Sequence, residues 1–233
     1  MSSDMNGEST VEPVSELLPL FPLGTVLFPG ALMPLHIFEP RYRLLIRRCI
    51  DRHRPFGIVL IRNGSEVDPS AEPYTVGTEA KIVAESALPD GRSYIVTRGE
   101  RRFAVEDVVH DLEPYLVGRV RYLDETDGDG ALDRASAALD ALGAYLLAVV
   151  AVTDDSRGER ALADDLRDAQ PRDLAYRIAG SLAVDAPQPQ ALLELETTSA
   201  RLEEETRILN RETEILRDLL VRLRERGERP ELN

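Results

Sequence analysis

Between residues 19 and 34 the chain carries four prolines, Pro19, Pro22, Pro29 and Pro34, set among Leu, Phe, Val and Met. Proline lacks a backbone N–H, so within a sheet it is confined to positions where no ladder bond is required of it. The stretch is too apolar for a solvated linker and too rich in proline for a helix or a central strand. It is therefore expected as edge strand and loop laid against a core, with Leu20 and Val26 inside. Leu32 and Met33 are expected at the rim, where an exposed apolar patch marks a protein-contact site.

The same pattern continues to Leu123. Short β-branched or alternating runs stop at turn signals: Val26–Phe28 before Pro29-Gly30, Phe56–Ile61 before Asn63-Gly64, and Val76–Glu85 before Pro89-Asp90-Gly91. Tyr94–Arg98 is expected to end at Gly99, with Arg102–Val109 and Leu116–Tyr122 as further strands. A helix interrupts them, with Pro40 in its first turn and Tyr42, Leu45, Ile46, Cys49 and Ile50 as its apolar stripe. After the acidic stretch Asp124–Asp133 the period becomes helical. Helices are expected over Ala131–Val152, Ala161–Asp168, Arg172–Leu182 and Gln188–Leu195, and a long one from about Thr198 to Arg226. Residues 1–16, small and polar, read as a disordered tail. The expected chain is α+β: a β-rich, barrel-like subdomain over 17–123 and a helical subdomain over 131–226 docked on it as one unit.

Charge narrows the function. The chain has 42 acidic and 28 basic side chains, a formal charge of −14, which repels phosphate backbones and makes nucleic acid an unfavoured partner. Arg41, Arg43, Arg47 and Arg48 form a local basic cluster, expected as a solvated helix face. The N-terminus lacks the basic start and apolar stretch of a signal peptide. The longest uninterrupted apolar run, Ala144–Val152, is about half of the roughly 20 residues a membrane helix needs, so a cytoplasmic location is expected.

Reactive groups are sparse. Cys49, the single cysteine, lies in the helix stripe and reads as packing. His36, His53 and His110 lack the spacing of a zinc site, and His36 is expected to hold a structural hydrogen bond. The acidic run from Asp127 fails the calcium-loop pattern, with Ala131 and Leu132 where a ligand and a glycine are required, and reads as a solvated linker. Lys81, the single lysine, follows Ala80 in a strand pattern and belongs neither to a phosphate-binding loop nor to a Ser–Lys pair. No catalytic residue, metal or cofactor is expected.

In the last helix Leu195, Leu202, Leu209, Leu216 and Leu223 recur every seven residues. Polar Ser199, Thr206 and Thr213 at the neighbouring seam positions disfavour a dedicated zipper. Ile208, Ile215 and Leu219 widen the stripe toward packing on other helices. Leu202 and Leu209 are expected to pack within the chain, and Leu216 and Leu223 to be less covered and to touch a partner, in a monomer or a homodimer.

The segment Leu18-Pro19-Leu20-Phe21-Pro22-Leu23-Gly24, then Phe28-Pro29-Gly30 and Pro34-Leu35-His36-Ile37-Phe38-Glu39-Pro40-Arg41-Tyr42, resembles the opening of the Lon protease N-terminal domain. Gly77-Thr78-Glu79-Ala80-Lys81-Ile82, Gly99-Glu100-Arg101-Arg102-Phe103 and Asp173-Leu174-Ala175-Tyr176-Arg177-Ile178-Ala179 extend the likeness over about residues 17–225. The resemblance implies a pseudo-barrel similar to the PUA fold followed by helices. It also implies a non-catalytic module, without ATPase or peptidase, that binds client proteins or peptides as an adaptor or substrate selector. RNA binding through the PUA-like fold and small-molecule binding are the alternatives. Phe21, Phe28 and Phe38 are expected to be buried, with Phe38 near Tyr42.

Overall fold

A computed structural model describes residues 15–66, 71–109, 111–153, 166 and 169–226. Six strands, β1 (Glu16–Leu23), β2 (Leu32–Ile37), β3 (Phe56–Asn63), β4 (Glu72–Ala87), β5 (Ser93–Val109) and β6 (Val117–Tyr122), lie in the order β2-β5-β4-β3-β1-β6. An additional β5–β6 pairing closes the last five into a barrel. The long strand β5 makes this possible: Ser93–Arg98 pairs with β2, and Phe103–Val109 pairs with β6. It runs through Gly99, where a strand end was expected. There the Phe28–Ala31 loop replaces β2 as partner, through Gly30 N–H to Gly99 O and Gly99 N–H to Ala31 O, both under 3 Å. A Cβ on Gly99 would lie 2.2 Å from Phe28 O, so the approach requires glycine.

The proline-rich opening divides differently from expectation. Strand β1 is interior, with neighbours on both sides, yet Glu16–Pro19 pairs with β6 while Leu20–Leu23 pairs in parallel with β3. Each half bonds mainly on one side, and so Pro19 and Pro22 are tolerated. Val26–Phe28 is loop rather than strand, because between Gly24 and Pro29-Gly30 the chain leaves the sheet to bury Phe28 against Tyr176, ring centroids 6.2 Å apart. β2, with Pro34, is the true edge.

Leu18, Leu20, Val59, Phe103 and Val120 fill the barrel. A Cβ on Gly57 or Gly77 would come within 2.7 Å of the Phe103 ring, so these two glycines make room for the one large side chain. Helix α1 (Pro40–Arg52) closes one side with Tyr42, Leu45, Ile46 and Cys49, and Tyr42 stacks on Phe21 at 4.1 Å. Phe21 and Phe28 are buried as expected, but Phe38 is 51% exposed. The pleat accounts for it: Phe38 continues the outward series Leu32, Pro34, His36 rather than the inward series ending at Ile37.

Four further helices are described, α2 (Ala131–Thr153), α3 (Pro171–Ser181), α4 (Pro187–Glu194) and α5 (Thr198–Arg226). The expected disordered tail lies outside the described residues up to Val14, and strand β1 already includes Glu16. The expected helix Ala161–Asp168 lies outside them except for buried Leu166, and His110 lies outside them too. Helix α2, 23 residues with a most apolar 18-residue window of mean hydropathy 1.9, is long and apolar enough to cross a membrane, although its longest uninterrupted apolar run is not. Here its alanine face, Ala135, Ala138 and Ala141, packs with Leu174, Ile178, Leu202 and Leu209. Leu202 and Leu209 are fully buried, as the heptad reading expects, while exposed Ile215 and Leu219 mark the uncovered end of α5.

Candidate functional site

Three features on this frame bear on function: a buried polar junction, an exposed apolar sheet face and an unpaired strand edge.

The junction joins barrel to helices. Arg102 projects from β5 and is 1% exposed. Its Nε donates to Glu125 Oε1 and its Nη1 to the carbonyls of Leu193 and Leu195, all at 2.7 Å. Arg201 of α5 donates to the carbonyls of Leu192 and Leu195. Together the two guanidinium groups satisfy the carbonyls that the short helix α4 leaves open at its C-terminus, where the helix dipole also favours positive charge. Tyr176 O–H donates to Glu125 Oε1 at 2.7 Å, and Arg201 lies 4.4 Å over the Tyr176 ring. Burial and the carboxylate of Glu125 hold the Tyr176 phenol well above its ordinary range. Glu205, one turn from Arg201, is fully buried with neither oxygen hydrogen-bonded among the described residues, and burial raises its carboxyl well above the usual value.

The acidic stretch expected as a solvated linker is part of this junction. Arg172 donates to Asp127 Oδ1 at 3.0 Å, and Thr198 and Ser199 N–H donate to the carbonyls of Thr126 and Asp127. Asp127 Oδ1 also accepts from Thr198 Oγ1 at 3.2 Å, so this carboxylate, shared by an arginine and a helix start, is a fastening group, which charge counting alone does not reveal.

The exposed face is the outer side of the three-stranded flap β2–β5–β4. Leu32 is 65% exposed, and His36, Phe38 and Tyr94 form a surface ring cluster: His36 stacks on Tyr94 at 4.6 Å and meets Phe38 at 5.6 Å. No hydrogen bond fixes His36 among the described residues; ring stacking takes the place of the structural bond expected for it. Between Pro34, His36, Ala84, Ser86, Tyr94 and Val96 lies a shallow cleft of about 380 Å³. Of the contact residues named from sequence, Leu32 belongs to this face, whereas Met33 turns inward, partly buried against the apolar layer that α1 covers. Leu216 and Leu223 sit half-buried near the end of α5, on a separate part of the molecule. Sequence reading missed Phe38, His36 and Tyr94, yet a two-residue step from Leu32 reaches His36 and Phe38.

The strand edge belongs to β4. Strand β3 begins at Phe56, opposite Ala80, so Lys81–Ala87 is paired with β5 alone. A cleft of about 560 Å³ runs between this edge and the end of α1, past Ile50, His53, Arg54 and Lys81. Cys49 is buried against it, and desolvation pushes its thiol up to about 11, which makes it a poor nucleophile. Lys81 is exposed, as its strand pattern implied.

Comparison with known proteins gives one consistent answer. The family model of the ATP-dependent protease La (LON) substrate-binding domain matches residues 17–211. Lon protease 2 of Myxococcus xanthus is 30% identical over 88% of this chain, and the Lon protease of Anaeromyxobacter dehalogenans 28% identical over 88%. The chain spans about a quarter of the length of either. Among solved structures, the Lon N-terminal domain protein from Xanthomonas campestris is 31% identical with TM-score 0.57, covering 81% of this chain and 96% of that one. The N-terminal domain of the Mycobacterium avium complex Lon protease has TM-score 0.63 at 19% identity, a likeness of fold, over 85% of this chain and 98% of that one. The chain belongs to the Lon substrate-binding domain family.

Proposed function

We propose that this domain binds protein clients, non-catalytically, and presents them to a Lon-type protease in the manner of a substrate selector. The family match over residues 17–211 carries the reading. The exposed apolar face supports it: Leu32, Phe38 and Tyr94 are each about half exposed or more on one sheet, and contiguous exposed apolar groups mark interaction sites. Leu216 and Leu223, with exposed Ile215 and Leu219 around them, are proposed as a second contact at the tip of α5. A cytoplasmic setting follows from the role. The chain's charge of −14 speaks for protein rather than nucleic acid as the ligand.

Fluorescence anisotropy with labelled, reduced and carboxymethylated lactalbumin tests the reading, with the native disulfide-bonded protein as control. Preferential binding of the unfolded form, weakened about ten-fold by Leu32→Ser with Phe38→Ser, is expected; ten-fold corresponds to about 1.4 kcal/mol. Equal, background-level signals for both forms refute it.

A further inference from the structure

We propose that the free edge of β4, Lys81–Ala87, takes up an extended acidic segment of a client as an added β-strand; the inference rests on the protein-binding reading. Three observations carry it.

The first is the edge itself. Seven residues of β4 continue beyond the end of β3, bonded on one side to β5 and on the other to nothing among the described residues. Along a strand alternate N–H and C=O groups point to each side, so this stretch offers unused donors and acceptors, most regularly over Ala84–Ala87 beyond the register shift between Ile82 and Ala84. Protein sheets ordinarily blunt such an edge. β2, the other open edge of the flap, does so with Pro34 and a length of six residues. The sequence Lys81-Ile82-Val83-Ala84-Glu85-Ser86-Ala87 has no proline and two β-branched residues and is exposed along almost its whole length; it is broken only by the register shift between Ile82 and Ala84, and its charges are Lys81 and Glu85.

The second is room. The cleft of about 560 Å³ lies alongside this edge, with the end of α1 as its far wall, and another of about 390 Å³ continues past Arg43, Arg47 and Ala87. The α1 wall therefore stands off from β4 along the length of the edge. An added strand needs about 4.8 Å beside its neighbour, and this is where β3 would continue if the chain did not turn into α1.

The third is charge, and it selects the guest. Among the described residues Arg43, Arg47, Arg52, Arg54 and Lys81 have no carboxylate partner, although Arg41 and Arg48 on the same helix are paired with Glu39 and Glu113. Arg43, Arg47, Arg54 and Lys81 line the two clefts, with Arg92, which Asp90 pairs; of the carboxylates there Glu79 and Glu100 are taken by Arg101 and Arg98, so among the described residues four free cations face two free carboxylates, Asp51 and Glu85. Unpaired cations gathered along one strand edge of a chain with net charge −14 favour a guest carrying carboxylates. A second copy of the chain is the obvious rival, because antiparallel pairing about Val83 would set Lys81 opposite Glu85. That pairing also brings two sets of unpaired α1 arginines side by side, and like charges at close range oppose it. Strand addition gives main-chain affinity whatever the guest sequence, and the cationic wall gives preference.

Hydrogen exchange of the full chain is measured with and without a short peptide alternating valine and glutamate, and its affinity is compared with that of the valine–lysine counterpart. The acidic peptide is expected to bind at least about ten-fold more tightly, to weaken as salt is raised, and to slow exchange selectively at Lys81–Ala87. Lys81→Glu with Arg54→Glu, both exposed and unpaired, is expected to reverse the preference while melting with the parent. The same acidic peptide N-methylated at alternate residues lacks the N–H groups a strand needs and is expected to lose binding. Equal affinity of acidic and basic peptides, undiminished binding of the N-methylated one, or protection appearing elsewhere overturns the proposal. So does a free chain that is dimeric with Lys81–Ala87 already protected. Binding of unfolded lactalbumin without any change at this edge removes the edge proposal and leaves the protein-binding reading standing. Absence of lactalbumin binding removes that reading itself.

Discussion

Arg101 and Arg102 are neighbours in β5 with the same side chain, and the structure assigns them very different weights. Arg102 is 1% exposed and makes three hydrogen bonds of 2.7 Å, to Glu125 and to two carbonyls beyond α4. Replacing it by methionine preserves much of its volume but strands a carboxylate and two carbonyls away from water. Breaking a buried pair by removing one partner costs about 3–5 kcal/mol. For a domain of this size each kcal/mol moves the melting temperature by roughly 2–4 °C, so Arg102→Met is expected to melt about 6–20 °C below the parent. Arg101 points the other way. Its side chain is 54% exposed, paired with Glu79 and lying 3.3 Å over the Tyr122 ring. Arg101 itself lies in solvent and Tyr122 O–H still donates to the buried Glu79 carboxylate, so Arg101→Met is expected to cost less, about 1–2 kcal/mol. Thermal melts followed by far-ultraviolet circular dichroism decide between them. If the two variants melt within about 2 °C of each other, Arg102 does not fasten barrel to helices and the account of the junction is wrong.

Other consequences can be measured on the same samples. Leu209→Ala, at a fully buried site, is expected to cost about 2–5 kcal/mol in urea unfolding, whereas Leu219→Ala, at a 42% exposed one, should fall within about 0.5 kcal/mol. Phe38→Ala should melt close to the parent yet bind unfolded protein more weakly, whereas a large loss of stability would place the ring in the core. Burial raises the Glu205 carboxyl above its ordinary value near 4.5, so the unfolded chain ionises first as pH rises. Its contribution to stability is therefore complete below that value and lost as pH climbs toward the folded-state value; Glu205→Gln should gain on the parent as pH rises above about 4.5, and a difference that stays constant as pH rises refutes the assignment. Light scattering on the parent and on Leu216→Glu with Leu223→Glu reads the tip of α5: a parent dimer that becomes a folded monomer makes the tip a self-contact, and unchanged masses with weakened client binding make it a client contact.

The sequence made the element types legible because hydrophobic period is local information. The long helix from Thr198 to Arg226 and the turn at Pro89-Asp90-Gly91 follow from spacing and glycine chemistry, and the structure has both. Errors arose where pairing is non-local. Two prolines appeared to forbid an interior position for β1, yet the strand divides its bonds between β6 and β3. Gly99 looked like a strand end because nothing local shows that the Phe28–Ala31 loop will occupy the place of β2 beside it.

The candidate site was less legible for a related reason. Apolar content identifies residues able to be buried, not residues left over once the core is full. Tyr42 stacks on Phe21 and closes that layer, so Phe38 has no place inside and remains outside beside His36. The β4 edge is concealed more completely still, since Lys81–Ala87 reads like any strand and becomes an open edge only because β3 starts late, at Phe56. That start is fixed by the end of α1: His53 adopts the left-handed conformation and the chain turns through Arg54-Pro55 before strand geometry resumes. The residues that terminate one helix thus decide where another strand goes unpaired. The arginines carried on that same helix supply the charge beside the opening, so edge and selectivity arise from one local feature of the chain.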